Sequence, residues 1–173
     1  MMIRIATLAF MAALLAGHAF AEDAAPRAAF DPEAYPPEVR KSLRYANEEC
    51  ARDGSGKVTF APDTVRKLDL TGDGRDDYIV DFRDTECAGS EAVYCGTGGC
   101  TMEILVTLPS GKVRSVFNDR VRVIEILDGQ GPAAGPRTIR FALHGSYCGG
   151  HGNPSCYKEH RITAKPFKFV EPK

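Results

Sequence analysis

The sequence predicts an α+β fold: a mostly antiparallel β-sheet, curled or sandwiched, with one N-terminal helix and disulfide staples. Three observations predict this class. One segment near the N-terminus repeats apolar residues at helical spacing. The rest of the chain is a series of short alternating runs separated by turn residues. The 173 residues also include six cysteines, an even number that suits a stapled domain.

Residues 1–21 have the layout of a secretory signal peptide. Arg4 precedes an apolar run, and Ala19 and Ala21 are the small residues that a signal peptidase recognises. The apolar run is shorter than the roughly 20 residues that a membrane-spanning helix needs, which favours cleavage over anchoring. We therefore expect cleavage after Ala21 and a periplasmic or secreted protein.

The sequence after residue 21 predicts an arm followed by one domain. Residues 22–35 are rich in Ala and Pro and predict a flexible arm, and residues 36–173 predict a single disulfide-stapled β-rich domain. Because the 22 basic and 23 acidic residues nearly balance, the sequence argues against nucleic acid, whose binding depends on phosphate neutralisation. No later segment is long and apolar enough to predict a membrane span.

The cysteines predict a disulfide framework, because exported chains meet an oxidising environment. Free thiols and metal ligands are the alternative. Two pairs enclose short loops rich in glycine, which bends easily, and the remaining two cysteines then pair with each other. The preferred pairs are Cys95 with Cys100, Cys148 with Cys156, and Cys50 with Cys87.

A helix is predicted from Pro36-Pro37 to the turn residues 53–56, since proline is tolerated in a first helical turn. Its apolar residues recur at spacings of four, three and four and form one stripe: Val39, Leu43, Ala46 and Cys50. Strands are predicted for the following alternating runs: 57–61, 65–70, 78–82, 102–108, 112–117, 120–127, 138–143, 159–163 and 167–170.

The segment 69–77, DLTGDGRDD, predicts a calcium loop. Side-chain oxygens stand at its first, third, fifth and ninth positions, on Asp69, Thr71, Asp73 and Asp77. The backbone carbonyl of Arg75 supplies a further ligand. A tight acidic loop gives calcium the oxygen shell that it prefers. The alternative is an Asp- and Gly-rich turn with solvated carboxylates.

This loop differs from an EF-hand, because Val80 stands where an EF-hand loop has a bidentate glutamate. It resembles the DxNGDGxxD calcium loops of FG-GAP and VCBS-type repeats, which lead into an apolar strand. Thr71 replaces the usual Asp or Asn of that motif and should weaken the site. The resemblance implies Ca²⁺ in a structural role, and it covers only this segment.

The region 144–160 holds three histidines and suggests an alternative site formed by His144, Ser146, His151 and His160. A zinc site, or a nucleophile with Glu125 or Asp128 orienting a histidine, is conceivable. No G-x-S-x-G elbow surrounds Ser146. A disulfide-closed loop with structural histidines is the simpler interpretation, because a disulfide consumes the thiolates that zinc would need.

Three segments occur in a fixed order: DLTGDGRDDYIVDF, CGTGGC and HGSYCGGHGNPSC. Their arrangement resembles a group of small exported, cysteine-rich bacterial proteins, and this resemblance implies an exported domain without implying an activity.

The sequence as a whole favours a non-enzymatic, calcium-stabilised binding or interaction module, envelope-associated or inhibitor-like. Its glycine-rich loops 89–99 and 145–154 would face a protein or an envelope glycan. The alternative function is a periplasmic hydrolase that uses a histidine of the 144–160 region.

Overall fold

The fold of the chain is α+β, as predicted. A computed structural model describes residues 30–53, 56–90, 93–127, 135–150 and 155–172. The predicted signal peptide and residues 22–29 of the predicted arm lie outside these ranges. Within them the chain forms one α-helix and ten mainly antiparallel β-strands. No helix in the described ranges combines the length and the apolar content that crossing a bilayer requires.

The helix α1 spans Pro37–Arg52. Proline suits its first position, where the missing N–H would have had no helical partner. The four residues of the predicted stripe are at most 1% exposed: Val39, Leu43, Ala46 and Cys50. The predicted extent and buried face of the helix are therefore confirmed.

The chain just before α1 is folded against the domain. Pro32–Ala34 form a short 3-10 turn. The ring of Phe30 lies 5.2 Å from that of Phe60 and 5.6 Å from that of Tyr35. The part of the predicted flexible arm that the structure describes is thus anchored by aromatic packing.

The strands form three sheets. The largest has the order β2-β3-β6-β5, with β7 on the other edge of β6; a second has the order β10-β9-β8; and β1 pairs with β4. The strand bounds are β1 Val58–Thr59, β2 Val65–Leu68, β3 Asp77–Asp81, β4 Glu86–Cys87, β5 Cys95–Gly96, β6 Gly99–Thr107, β7 Val113–Val121, β8 Val123–Ile126, β9 Thr138–Leu143 and β10 Cys156–Arg161.

The large sheet is buried on both faces in its middle. Ile79 and Ile104 point to a cluster shared with Phe141 of the three-stranded sheet. Val80 and Leu105, their neighbours along the strands, point to a second cluster shared with α1. The order of layers is therefore helix, large sheet and small sheet, and burial on both faces explains why β3 and β6 are nearly continuous apolar runs.

The chain passes from the large sheet to the small one at Arg122. Its backbone N–H donates to the carbonyl oxygen of Ala142 at 2.8 Å, just after β7 ends and before β8 begins. The single strand predicted over 120–127 is interrupted here. Val123 is consequently exposed, and Ile124 packs against the cluster between the sheets.

The strand predicted over 167–170 is not formed. This segment is held by packing instead, because the ring of Phe167 stacks on that of Phe117 at 4.9 Å. The backbone N–H of Phe167 also donates to the carbonyl oxygen of Val116 at 2.8 Å. The alternating Phe167 and Phe169 therefore mark a segment that is partly buried on one face and does not pair as a strand.

All three predicted disulfides are present. Cys50–Cys87 joins the end of α1 to β4, Cys95–Cys100 links directly opposed residues of β5 and β6, and Cys148–Cys156 joins the turn after β9 to β10. The first closes the longest loop, with a sequence separation of 37.

We predict that the paired change C50A/C87A lowers the free energy of unfolding by about 4 kcal/mol, because it removes the constraint on the longest loop of the unfolded chain. Urea denaturation at neutral pH measures this loss. The control C95A/C100A opens a far shorter loop and should cost about 2 kcal/mol. Equal losses in the two variants would contradict the loop-length argument.

Candidate functional site

The predicted calcium loop is a tight turn organised by Asp69. Its Oδ1 accepts the backbone N–H groups of Gly72 at 2.6 Å and Asp73 at 3.2 Å, and its Oδ2 accepts that of Gly74 at 2.8 Å. Gly72 has a φ of 72°, and a Cβ there would lie 2.2 Å from the backbone of Gly135. Glycine is therefore required at this position by both conformation and space.

Asp77 is buried beneath the loop. Its Oδ2 accepts the backbone N–H groups of Leu70 and Thr71, both at 2.9 Å, and its Oδ1 accepts that of Thr107 at 2.7 Å. Burial raises the pKa of the Asp77 carboxyl, and the three N–H donors oppose that rise. Asp77 thus fastens the loop to the end of β6.

The other predicted ligands have separate partners. Asp73 pairs with the guanidinium of Arg75, whose Nε donates to the carbonyl oxygen of Thr107 at 3.3 Å. The side chain of Thr71 adjoins Asp77, yet its hydroxyl oxygen is buried without a hydrogen bond of normal geometry to the described residues. In this conformation the carboxylates are satisfied by N–H groups.

No group of three or more His, Cys, Asp or Glu side chains in the described ranges is arranged to hold a metal ion. Calcium binding by the loop stays a prediction. A bound cation would take oxygens from Asp69, Thr71, Asp73 and Asp77 and the carbonyl of Arg75, and Asp73 would then have to leave the guanidinium of Arg75.

His144 and Ser146 of the alternative site lie together. His144 caps the 3-10 turn Gly145–Cys148, and its Nδ1 lies 3.3 Å from the backbone nitrogen of Ser146 and 2.8 Å from Ser146 Oγ. Ser146 Oγ also lies 2.7 Å from Glu171 Oε1. The imidazole and the carboxylate therefore compete for one hydroxyl proton, whereas in a catalytic triad the acid bonds the far nitrogen of the histidine.

The described members of the remaining candidates, His160 and Glu125, do not join this cluster. The ring of His160 stacks on Phe167 at 3.7 Å, and burial lowers the pKa of His160. Glu125 pairs with Arg140. His151 and Asp128 lie outside the described residues.

The two glycine-rich loops, although distant in sequence, meet at one end of the molecule. Thr97 of the first loop and His144, which directly precedes the second, line one cavity of about 250 Å³. Arg122 contacts both regions: its Nη2 donates to the carbonyl oxygen of Thr97 at 2.9 Å, and its Nη1 donates to Ser155 Oγ, directly after the second loop, at 3.4 Å. The remaining lining residues of this loop pocket are Gly98, Asp119, Arg120, Ser146, Tyr147 and Glu171.

A second concavity lies where α1 leaves part of the large sheet uncovered. We call it the helix groove; its volume is about 670 Å³. One wall is α1, and the floor is the helix-facing side of β6 and β7. It shares Asp119 and Arg120 with the loop pocket, so the two concavities adjoin at this part of β7. The groove is lined by Glu38, Lys41, Ser42, Tyr45, Phe82, Thr101, Glu103, Leu105, Ser115, Asn118, Asp119 and Arg120.

The helix groove was not predicted from the sequence. One signal pointed to it: Glu103 is a charged residue within the apolar run of β6. A larger concavity of about 920 Å³ is lined by residues 83–90, which include β4, and by Thr59 of β1. The helix groove brings together side chains from α1, β6 and β7 in a cleft, and clefts are where ligand sites usually lie.

Comparison with known proteins identifies no relative: no family model, no curated protein and no solved structure matches the chain. The interpretation of the site therefore depends on its own geometry.

We predict that Asp77→Ala lowers the free energy of unfolding by about 3 kcal/mol or more, because three backbone N–H groups lose their acceptor in a buried place. Urea denaturation measures the change. The neighbouring Asp76→Ala is the control, since the carboxylate of Asp76 is exposed and forms a surface ion pair with Lys67, and it should change stability little. Similar stabilities for the two variants would show that Asp77 does not fasten the loop.

Proposed function

We propose that the chain is an exported, non-enzymatic binding module that recognises a polymer of the cell envelope. The observation that carries the proposal is that the helix groove and the loop pocket adjoin at Asp119 and Arg120. Two adjoining polar concavities suit an extended polymer that makes contacts in both.

The rigidity of this surface supports a binding role. A disulfide anchors part of each loop, and Arg122 contacts Thr97 of the first loop and Ser155 directly after the second. The helix that forms the wall is also tied to the domain, because the hydroxyl of Tyr94 donates to the carbonyl oxygen of Ala46 in α1 at 2.8 Å. A preorganised surface loses little conformational freedom on binding, which raises affinity.

The lining favours an envelope polymer over a protein partner. Protein interfaces usually have an apolar centre that excludes charged residues, whereas the groove contains acidic, basic, amide and hydroxyl groups. The exposed large apolar residues of the described ranges are Tyr45, Val123, Tyr157 and Val170. Only Tyr45 among them borders the groove.

Export is supported by the three disulfides, because such bonds persist mainly in oxidising compartments. The layout of residues 1–21 supports it independently. We accordingly propose a periplasmic or secreted location.

A hydrolase is the second candidate, favoured by the contact between Ser146 and His144. Against it stands the position of Glu171, which bonds the serine in place of the histidine. The contacts suit the capping of the 3-10 turn better than the activation of a nucleophile.

We predict that calcium stabilises the module through the loop 69–77. About 2 mM calcium should raise the melting temperature by about 2–4 °C over a chelator, as expected for a weak extracellular-type site. Asp73→Asn should abolish the rise, and the same concentration of magnesium should not reproduce it. An unchanged melting temperature, or a rise that Asp73→Asn retains, would remove calcium from the proposal.

The binding role is tested by co-sedimentation of the purified protein with purified bacterial sacculi. We expect the protein to pellet with the sacculi and both Tyr45→Ala and Arg120→Gln to reduce the pelleted fraction several-fold. Arg44→Gln is the control, because Arg44 is an exposed residue of α1 outside the groove.

Two outcomes would contradict the proposal. Protein that stays in the supernatant, or groove variants that pellet like the control, would exclude this surface as an envelope-binding site. Release of soluble fragments by the wild type but not by Ser146→Ala would favour the hydrolase.

A further inference from the structure

The helix groove contains two opposite charges that do not pair with each other. Thr101 and Glu103 of β6 face Arg120 and Asn118 of β7, respectively, in the ladder. Glu103 and Arg120 are therefore diagonal neighbours on one face of the sheet, with a Cα separation of about 7–8 Å. No ion pair joins them within the described residues.

Glu103 is a half-buried carboxylate on the central strand. It accepts a hydrogen bond from the hydroxyl of Ser42 in α1. No lysine, arginine or histidine in the described ranges forms an ion pair with it. A charge kept from water in this way is stabilised when a cationic group approaches it.

Arg120 is positioned by glycine. A Cβ at Gly96 would lie 3.0 Å from Arg120 Nη1, and one at Gly98 would lie 4.0 Å from Arg120 Cβ. The side chain of Arg120 therefore runs along the glycine-rich loop, and the missing side chain at position 96 leaves space for its guanidinium. That guanidinium makes no hydrogen bond or ion pair to the described residues, although its planar array of N–H donors suits a carboxylate.

Uncharged groups complete the floor and wall near these charges. Asn118 and Thr101 supply amide and hydroxyl groups, and Tyr45 supplies a half-exposed ring. Burial, together with Glu49, raises the pKa of the Tyr45 hydroxyl, and the charges of Arg52 and Arg120 oppose that rise. The ring and the guanidinium thus lie at the same end of the groove.

We propose that the helix groove binds a zwitterionic peptide group, one that carries both a free ammonium, held at Glu103, and a free carboxylate, held at Arg120. This inference deepens the proposed function and rests on it, because it names which chemical part of the envelope polymer the groove recognises.

The charge pattern favours a zwitterion over other small ligands. A simple anion would be repelled by Glu38, Glu103 and Asp119, and a simple cation would be repelled by Lys41 and Arg120. A neutral sugar would leave Glu103 and Arg120 without charged partners in a partly desolvated groove. A ligand with both charges satisfies the two residues together.

Titration calorimetry with alanyl-alanine, its N-acetyl derivative and its C-terminal amide tests this assignment. The wild type should bind the free dipeptide about tenfold or more tightly than either blocked form, because each block removes one charge-assisted contact. Glu103→Gln should bind the free dipeptide and its N-acetyl derivative equally but still prefer the free dipeptide to the amide. Arg120→Gln should lose the second preference and keep the first.

The controls Arg44→Gln and Glu48→Gln lie on the exposed part of α1 and should match the wild type.

A second pair of variants tests the position of the guanidinium without removing its charge. Gly96→Ala shifts Arg120 Nη1 slightly and should weaken binding of the free dipeptide measurably, whereas Gly98→Ala makes only an ordinary contact and should leave binding unchanged. Neither glycine has a positive φ, so alanine is compatible with both backbones.

The outcomes separate this inference from the proposed function. Sacculi binding combined with equal affinities for free and blocked dipeptides, or with competition by a neutral disaccharide of N-acetylglucosamine alone, would overturn the zwitterion assignment and leave the binding module standing. Exchanged effects of Glu103→Gln and Arg120→Gln would also overturn it. Absence of binding to both sacculi and dipeptide would overturn both proposals.

Discussion

Strand β6 is the constraint on which the rest of the structure depends. It pairs with β3 and β5 along one edge and with β7 along the other. Its side chains alternate between the cluster under α1 and the cluster under the small sheet. Any shift in its register by one residue would exchange these two sets and place Glu103 in the cluster between the sheets. The same pairing that builds the core therefore also sets the floor of the helix groove.

The features that were predicted correctly are those encoded by local spacing. The stripe of α1 repeats with the helical period, and two of the disulfides close short glycine-rich loops, which leaves one remaining pair. The strands β4 and β5 were missed because each has only two residues. The segment around Phe167 was predicted as a strand because its residues alternate between apolar and polar. An alternating pattern indicates which face packs on the core, but it does not indicate whether a neighbouring strand is present to form hydrogen bonds.

The candidate site was predictable in part. The contact between His144 and Ser146 follows from their closeness in sequence, but the helix groove depends on pairing between β6 and β7 and on how far α1 extends over them. The aspartates of the loop 69–77 illustrate a different limit. Spacing of carboxylates and glycines is common to calcium loops and to turns in which aspartate accepts backbone N–H groups, so the sequence could identify the turn without deciding what its oxygens bind.

The Cys50–Cys87 disulfide affects the helix groove as well as the stability of the fold. The floor of the helix groove is a β-ladder whose hydrogen bonds do not depend on any thiol, whereas its wall is a helix fastened covalently only at its last turn. The packing of α1 on the sheet positions the wall, and the disulfide adds a covalent link at its end. Reduction of this bond would remove that link and leave the hydrogen bonds of the floor in place. In the proposed binding role, the bond would link ligand recognition to an oxidising compartment.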